Sequence, residues 1–173
     1  MRISDYFFVD AKKILSPNFS EREKNVDLIV LHSISLPEGE YDNDNVEDLF
    51  MNKLNFDLHS SFQGLRNVKV SAHLYVKRDG TIIQFVPFNK CAWHAGESIF
   101  KGRKNCNEFS IGIEIQGKVD EEYTREQYEN LKKIVDALKI FFQIDDVVAH
   151  SEISPERKKD PGPLFDWSKL DES

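Results

Sequence analysis

The segment that most restricts the fold is Ser110–Gln116, which reads SIGIEIQ. Isoleucine occupies every second position, and β-branched residues at a spacing of two are typical of a strand rather than a helix. One face of this strand is therefore apolar. The other face carries Ser110, Gly112, Glu114 and Gln116. The pattern predicts a strand that directs a carboxylate away from its isoleucines.

Two further apolar segments each lead to a histidine. Residues 26–31 (VDLIVL) end at His32, and VVA at 147–149 ends at His150. Both segments are typical of buried strands, and open α/β sheets gather their ligand-binding groups where strands enter loops. A single histidine is more often structural than functional. Here, however, each of the two histidines is predicted to lie where a buried strand ends and a loop begins. The two histidines are therefore candidate site residues.

The remaining segments complete an α/β pattern. Thr124 and Gln127 predict a capping box, and apolar residues then recur three and four apart as far as Phe142, which indicates a helix. An Asp-Gly turn at 79–80 predicts a hairpin between 68–77 and 81–86, and residues 46–54 have a helical spacing. The proline-rich C-terminal segment is expected to be irregular. Without repeats or linkers, residues 1–173 are expected to form a single domain.

Composition excludes several classes of protein. The 173 residues carry a net charge of −7, whereas nucleic-acid-binding domains are usually basic. The longest apolar runs are far shorter than the roughly 20 residues of a membrane span. Charged residues within the first 13 positions do not fit a signal peptide, so we expect a cytoplasmic protein. Cys91 and Cys106 are then expected to be free thiols.

Asp160 follows His150 in the sequence HSEISPERKKDPGP. Prolines on both sides stiffen the chain, so this carboxylate can return beside the imidazole. Two imidazoles and a carboxylate suit zinc, and three protein ligands leave one tetrahedral position open, as in catalytic sites. The alternative is that Asp160 only forms a turn before Pro-Gly, and spacing alone slightly favours that reading.

Three segments carry a resemblance to a known family: VSAHLYVKRDGTIIQFVPFNKCAWHAGES, GRKNCNEFSIGIEIQG and AHSEISPERKKDPGPLFDW. In this order they resemble the zinc-dependent N-acetylmuramoyl-L-alanine amidases of the amidase-2 family, over about residues 29–167. Within the family the resemblance is strongest to cytoplasmic enzymes that act on 1,6-anhydromuropeptides. It implies a central mixed β-sheet flanked by helices.

The resemblance also implies roles for individual residues. His32, His150 and Asp160 match the ligands of one Zn²⁺ per chain. Glu114 matches the catalytic glutamate, which moves protons, and Lys158 matches the catalytic lysine, which stabilises negative charge. From the pattern alone, Glu114 is a half-exposed strand residue and Lys158 belongs to a solvated charged run.

Four residues are candidate substrate contacts. Trp93 and His94 match the family's WHAG block, where an indole stacks on a sugar or peptide and an imidazole donates or accepts a hydrogen bond. The alternative is a packed Trp93 with His94 supporting the loop. Lys69 and Asn105 stand where arginine is common, and Ser33 stands where asparagine is common. These departures affect recognition of the stem peptide's carboxylates.

The expected function is hydrolysis of the amide bond between (1,6-anhydro-)N-acetylmuramic acid and L-alanine during cell-wall recycling. A small muropeptide is the expected partner, with no nucleic acid, membrane or obligate protein partner. Two alternatives stay open from the sequence: a non-catalytic module that recognises peptidoglycan fragments, and a lytic amidase that attacks intact peptidoglycan. The three candidate zinc ligands favour an enzyme over the module.

Overall fold

A six-stranded mixed β-sheet forms the centre of the computed structural model, which describes residues 1–171. The last two residues of the predicted domain, 172–173, lie outside this range. The strands are β1 (Ile3–Ser4), β2 (Phe7–Phe8), β3 (Lys12–Lys13), β4 (Phe19–Glu21), β5 (Leu28–Ile34), β6 (Leu74–Val76), β7 (Ile82–Gln84), β8 (Lys90–Ala92), β9 (Ile99–Phe100), β10 (Arg103–Lys104), β11 (Ser110–Gln116) and β12 (Asp146–Ala149). The helices are α1 (Asn45–Phe50), α2 (Arg125–Phe142), α3 (His150–Ile153) and α4 (Ser168–Asp171), with 3₁₀ turns at Ser60–Leu65 and Cys106–Glu108.

The order of strands in the central sheet is β12-β5-β11-β6-β7-β3. The first four are parallel to one another, β7 runs antiparallel to β6, and β3 is parallel to β7. The remaining strands form three two-stranded sheets. The predicted α/β fold with a central mixed sheet is confirmed. Among the described residues, no helix combines the length and the apolar character that a membrane crossing requires.

The pairing of β5 with β11 sets the position of the predicted site. The two strands are in register over seven residues, and His32 lies opposite Glu114. Strand β5 continues to Ile34 because β11 pairs with it as far as Gln116. The expectation that the strand ends at His32 was therefore wrong. His32 lies inside the sheet, beside Glu114 on the same face.

The apolar face of β11 forms the main core with helix α2. Ile111, Ile113 and Ile115 are fully buried in one cluster, together with the inward-facing side chains of the helix: Leu131, Ile134, Val135 and Leu138. A fully buried side chain of this kind contributes about 1.5–3 kcal/mol through the hydrophobic effect. Since the isoleucines occupy this face, the polar side chains of β11 are directed to the opposite face of the sheet, where the site lies.

The other predicted elements are mostly present but shorter. The hairpin forms between β6 and β7, and Gly80 adopts the positive φ of 84° that its turn requires. Regular pairing there is limited to three residues in each strand. The C-terminal segment is not wholly irregular, because α4 forms beyond the last proline. Cys91 and Cys106 are free, as predicted, and both are buried.

The predicted capping box at the start of α2 is present. The Thr124 hydroxyl accepts a hydrogen bond from the backbone N–H of Gln127, whose side chain accepts one from the N–H of Thr124. The Gln127 amide also donates to the carbonyls of Val76 and Gln116, at the ends of β6 and β11. This cap therefore joins the helix to two strands of the central sheet.

Replacing Thr124 with alanine should lower the free energy of unfolding by about 1 kcal/mol, because the cap is lost. Urea unfolding followed by circular dichroism measures this difference. The control is Thr124→Ser, which keeps the hydroxyl and should stay close to the wild type. Equal stability of the alanine variant and the wild type would contradict the assigned cap.

Candidate metal centre and active site

Three side chains predicted as metal ligands converge at one end of the central sheet. His32 lies on β5, His150 begins α3 directly after the neighbouring strand β12, and Asp160 lies in the loop that follows. The Nδ1 atoms of His32 and His150 are 2.8 Å apart. Oδ2 of Asp160 lies 3.1 Å from Nδ1 of His150 and 3.5 Å from Nδ1 of His32. The structure thus places two imidazole nitrogens and one carboxylate oxygen around a single point.

Several hydrogen bonds hold the loop of Asp160 against the sheet. The backbone carbonyl of Asp160 accepts from the N–H of Ser151, and that of Pro161 accepts from the buried hydroxyl of Tyr123. Gly162 has φ of 99° and packs so closely on Val119 that a side chain would overlap its backbone. Asp160 therefore lies in a fixed turn that also returns its carboxylate to the two histidines.

Burial and hydrogen bonding set the charge states of His32 and Asp160. Burial lowers the pKa of His32 to about 4, although hydrogen bonding to the Asp160 carboxylate opposes this shift. Burial alone would raise the pKa of Asp160, but hydrogen bonds to His150 and His32 outweigh it and hold that pKa well below its usual range. At neutral pH, His32 is therefore uncharged and Asp160 is ionised, which are the states that metal ligands need.

This donor set fits a divalent metal ion. Two imidazole nitrogens that face each other at 2.8 Å bring their lone pairs together, which a cation or a proton between them must offset. The carboxylate supplies negative charge at the same point, and the mixture of nitrogen and oxygen ligands is typical of zinc.

Glu114 lies at the edge of this group. Its Oε1 is 3.9 Å from Nδ1 of His32, and its buried Oε2 has no hydrogen-bond partner among the described residues. Burial raises the pKa of Glu114 well above its usual value, the charge of Asp160 raises it further, and Lys158 opposes both. The expectation from pattern alone, a half-exposed glutamate, does not describe this buried carboxyl group. Its position suits proton transfer.

Lys158 is half-buried in the segment that leads to Asp160. Its positive charge lowers the pKa of both His32 and Glu114, which shows that its field reaches the site. Its backbone N–H donates to the carbonyl of Ser154 and holds the segment to the end of α3. Lys158 is thus a half-buried cation close enough to affect the site, rather than a fully solvated member of a charged run.

Of the four predicted substrate contacts, two line a cleft, one is exposed outside it and one is buried beside the metal site. Trp93 is half-buried, donates its indole N–H to Ser20, and lines a cleft of about 480 Å³ together with Asn105. Lys69 is exposed and is not among the residues that line this cleft. His94 is buried, and its Nδ1 lies 2.9 Å from Nε2 of His32.

Sequence reasoning missed the residues that hold the segment of His94. Oδ1 of Asn107 accepts from the backbone N–H groups of both His94 and Ala95, at 3.0 and 2.8 Å. Ser110 and Gly112 of β11 contact the His94 ring. The alternation along β11 contained a usable signal, because these two small residues share the face of Glu114.

Residues 22–163 match the model of a protein family described as N-acetylmuramoyl-L-alanine amidase. The chain belongs to this amidase family. The family predicted from the sequence segments is confirmed, and so is the class of enzyme.

Similar proteins agree with this assignment over the full length. The amidase is 40% identical over 174 residues to 1,6-anhydro-N-acetylmuramyl-L-alanine amidase AmpD of Citrobacter freundii, covering 98% of this chain and 93% of the relative. A crystal structure of a selenomethionine AmpD derivative superimposes with a TM-score of 0.97 at 40% identity, covering 99% and 98% of the two chains. The amidase AmiD of Escherichia coli, solved with anhydro-N-acetylmuramic acid-L-Ala-D-γ-Glu-L-Lys, has a TM-score of 0.62 at 29% identity, over 84% of this chain and 56% of AmiD.

His73 of the amidase should make folding sensitive to acid. The ring is fully buried, its Nδ1 accepts from the N–H of Gly112, and burial followed by the charge of Arg22 lowers its pKa from 6.5 to about 3. Below pH 6.5 the unfolded chain binds a proton that the folded chain does not. The stability contributed by neutral His73 is therefore complete above this pH and falls as the pH decreases towards about 3.

The variant His73→Asn keeps an acceptor for Gly112 but cannot titrate. Its unfolding free energy should fall less steeply than that of the wild type between about pH 7 and about pH 4.5. Urea unfolding at several pH values, with a chelator present in both samples, measures the two slopes. Equal slopes would show that His73 is not held neutral by the fold.

Proposed function

We propose that this amidase binds one zinc ion through His32, His150 and Asp160 and hydrolyses the amide bond between 1,6-anhydro-N-acetylmuramic acid and L-alanine in cytoplasmic cell-wall recycling. The observation that carries the proposal is the convergence of the three donor atoms within 3.5 Å of one another. A second carboxyl group is nearby: Oε1 of Glu114 lies 3.9 Å from Nδ1 of His32. A non-catalytic recognition module has no need of this arrangement.

When bound, zinc in a site with three protein ligands lowers the pKa of a water molecule and polarises the substrate carbonyl. Glu114 then has two tasks. Its carboxylate accepts a proton from the attacking water, and the resulting acid donates this proton to the amide nitrogen as the C–N bond breaks. Burial raises the pKa of Glu114, so its carboxylate is a stronger base towards the proton of the water, and its Oε2 has no competing hydrogen bond among the described residues.

Lys158 offers a positive charge to the carbonyl oxygen as negative charge develops there. Electrostatic stabilisation of this kind is typically worth about 3–4 kcal/mol for one donor. Lys158 is half-buried and lies in the segment that ends at Asp160, so the same segment supplies a ligand and a cation. This explains why the charged run, which a sequence pattern assigns to the surface, contributes to the site.

The choice of substrate rests on the relatives and on the cleft that Trp93 lines. AmpD carries 1,6-anhydro-N-acetylmuramyl-L-alanine in its name, and AmiD was solved with an anhydro-muropeptide. Trp93 and Asn105 both line this cleft of about 480 Å³. An indole suits the apolar face of a sugar. We assign Trp93 and Asn105 to substrate binding, with the exposed Lys69 as a single-charge contact for a stem-peptide carboxylate.

The variant Asp160→Ala should lose zinc, because the site retains only two ligands and its negative charge is gone. Zinc content after dialysis against a weak chelator, measured by mass spectrometry, should fall from about one ion per chain to near zero. Asp145→Ala is the matched control, since Asp145 is exposed and is not a member of the donor group. Full zinc content in Asp160→Ala would show that Asp160 is not a ligand.

The variant Glu114→Gln keeps the size of the side chain but cannot accept or donate the proton. It should retain zinc and lose at least about 100-fold in kcat, the usual contribution of general acid–base catalysis. Mass spectrometry of the products from an anhydro-muropeptide measures this loss, with the exposed Glu152→Gln as control. Near-wild-type turnover of Glu114→Gln would remove Glu114 from the mechanism.

The same assay tests the proposed function itself. Zinc-loaded wild-type protein should release the intact peptide with L-alanine at its amino terminus, and it should cleave the anhydro substrate faster than the non-anhydro form. Binding without cleavage would support the recognition module. Preferential cleavage of intact peptidoglycan would support a lytic amidase.

A further inference from the structure

The two metal-site histidines each have a second ring nitrogen that points away from Asp160. Nε2 of His150 lies 3.2 Å from the backbone carbonyl of Ala95, and Nε2 of His32 lies 2.9 Å from Nδ1 of His94. The two groups that these nitrogens contact belong to consecutive residues, His94 and Ala95. A metal-binding histidine needs an unprotonated nitrogen towards the metal, and the hydrogen bond of its other nitrogen decides which one carries the proton.

The partner of Nε2 of His150, the carbonyl of Ala95, determines which ring nitrogen of His150 carries the proton. A carbonyl oxygen only accepts hydrogen bonds, so Nε2 of His150 carries the proton and Nδ1 presents a lone pair to the site. For His32 the partner is another imidazole, which either donates or accepts. Which nitrogen of His32 carries the proton therefore depends on the hydrogen bond that His94 makes through its other ring nitrogen.

That contact is the hydroxyl of Ser110. It donates its single proton to the carbonyl of Cys106 at 2.6 Å, so it has only lone pairs left for Nε2 of His94 at 3.1 Å. Nε2 of His94 must then carry the proton of the neutral ring, and its Nδ1 accepts from Nε2 of His32. Nδ1 of His32 is left unprotonated and faces His150 and Asp160.

The absence of a side chain at Gly112 makes this arrangement possible. A Cβ at this position of β11 would overlap the His94 ring. Ser110 and Gly112 lie on the same face of β11 as Glu114. Ser110 supplies the hydrogen-bond acceptor for His94, Gly112 leaves space for its ring, and Glu114 supplies the carboxyl group. The backbone of His94 is held from the other side by Asn107.

We propose that His94 is a positioning residue of the metal site: through its hydrogen bond to Ser110 it holds His32 in the tautomer that binds zinc, and thereby determines zinc affinity. The inference rests on the proposed zinc site and adds a residue that does not contact the ion. A direct role in substrate binding is disfavoured, because His94 is 8% exposed and both of its ring nitrogens have partners within the protein.

The decisive comparison is between His94→Asn and His94→Leu. The two side chains are similar in size, but the Oδ1 of asparagine can accept from Nε2 of His32, whereas leucine cannot. Zinc affinity, measured by competition with a chromophoric chelator, should fall about 10–100-fold in His94→Leu, the usual effect of removing an outer hydrogen bond. His94→Asn should recover most of this loss.

Ser110→Ala provides a second variant with little risk to folding. It removes the acceptor for His94 and should weaken zinc binding several-fold, while Ser61→Ala, at an exposed serine, should not change it. Circular dichroism should show native secondary structure in each variant. Unchanged zinc affinity in both His94→Leu and Ser110→Ala would overturn the inference.

The tautomer itself is measurable without activity. In zinc-free protein labelled with ¹⁵N-histidine, long-range ¹H–¹⁵N spectra at neutral pH should show the proton of His32 on Nε2. In His94→Leu this preference should weaken. A proton on Nδ1 of His32 in the wild type would contradict the proposed hydrogen-bond chain. If the wild type binds no zinc at all, the proposed function fails. If the wild type binds zinc and replacing His94 leaves zinc affinity unchanged, only the role of His94 fails.

Discussion

The parallel pairing of β5 with β11 is the constraint on which the rest of this structure depends. Over seven residues it places His32 opposite Glu114 and directs the isoleucines of β11 to the helix side of the sheet. A shift of one residue in either strand would exchange its two faces and bury the polar groups in the core. The hydrophobic packing against α2 prevents this shift, so the same interaction stabilises the fold and aligns the site.

The surroundings of the site explain how an acidic protein builds a centre for metal and substrate. The net charge of −7 is carried mainly by exposed side chains. At the site His32 is held neutral by burial, hydrogen bonds keep Asp160 ionised, and Lys158 places a positive charge two residues before Asp160. A buried charge is costly without a partner, which is why these groups converge instead of being spread over the sheet.

Much of the fold could be predicted from periodicity. The strand Ser110–Gln116 was predicted with its observed bounds, and the helix Arg125–Phe142 with its cap and its apolar positions as far as Phe142, because both patterns are local. The end of β5 was placed too early, because its continuation to Ile34 depends on pairing with β11, 82 positions away. The short strands β3 and β4 have no local pattern at all, and they exist because they pair with β7 and β8.

The sequence by itself determined the fold class, the family and the candidate residues, since alternation, capping and the order of family segments are properties of the chain. Spacing did not decide between Asp160 as a turn residue and as a ligand, or between His94 as a substrate contact and as a support. Only the tertiary structure could address these questions, because each answer depends on which atom faces which across long separations in the chain. Asp160 lies in a turn and beside both histidines, and His94 contacts His32 and Ser110 through opposite ring nitrogens.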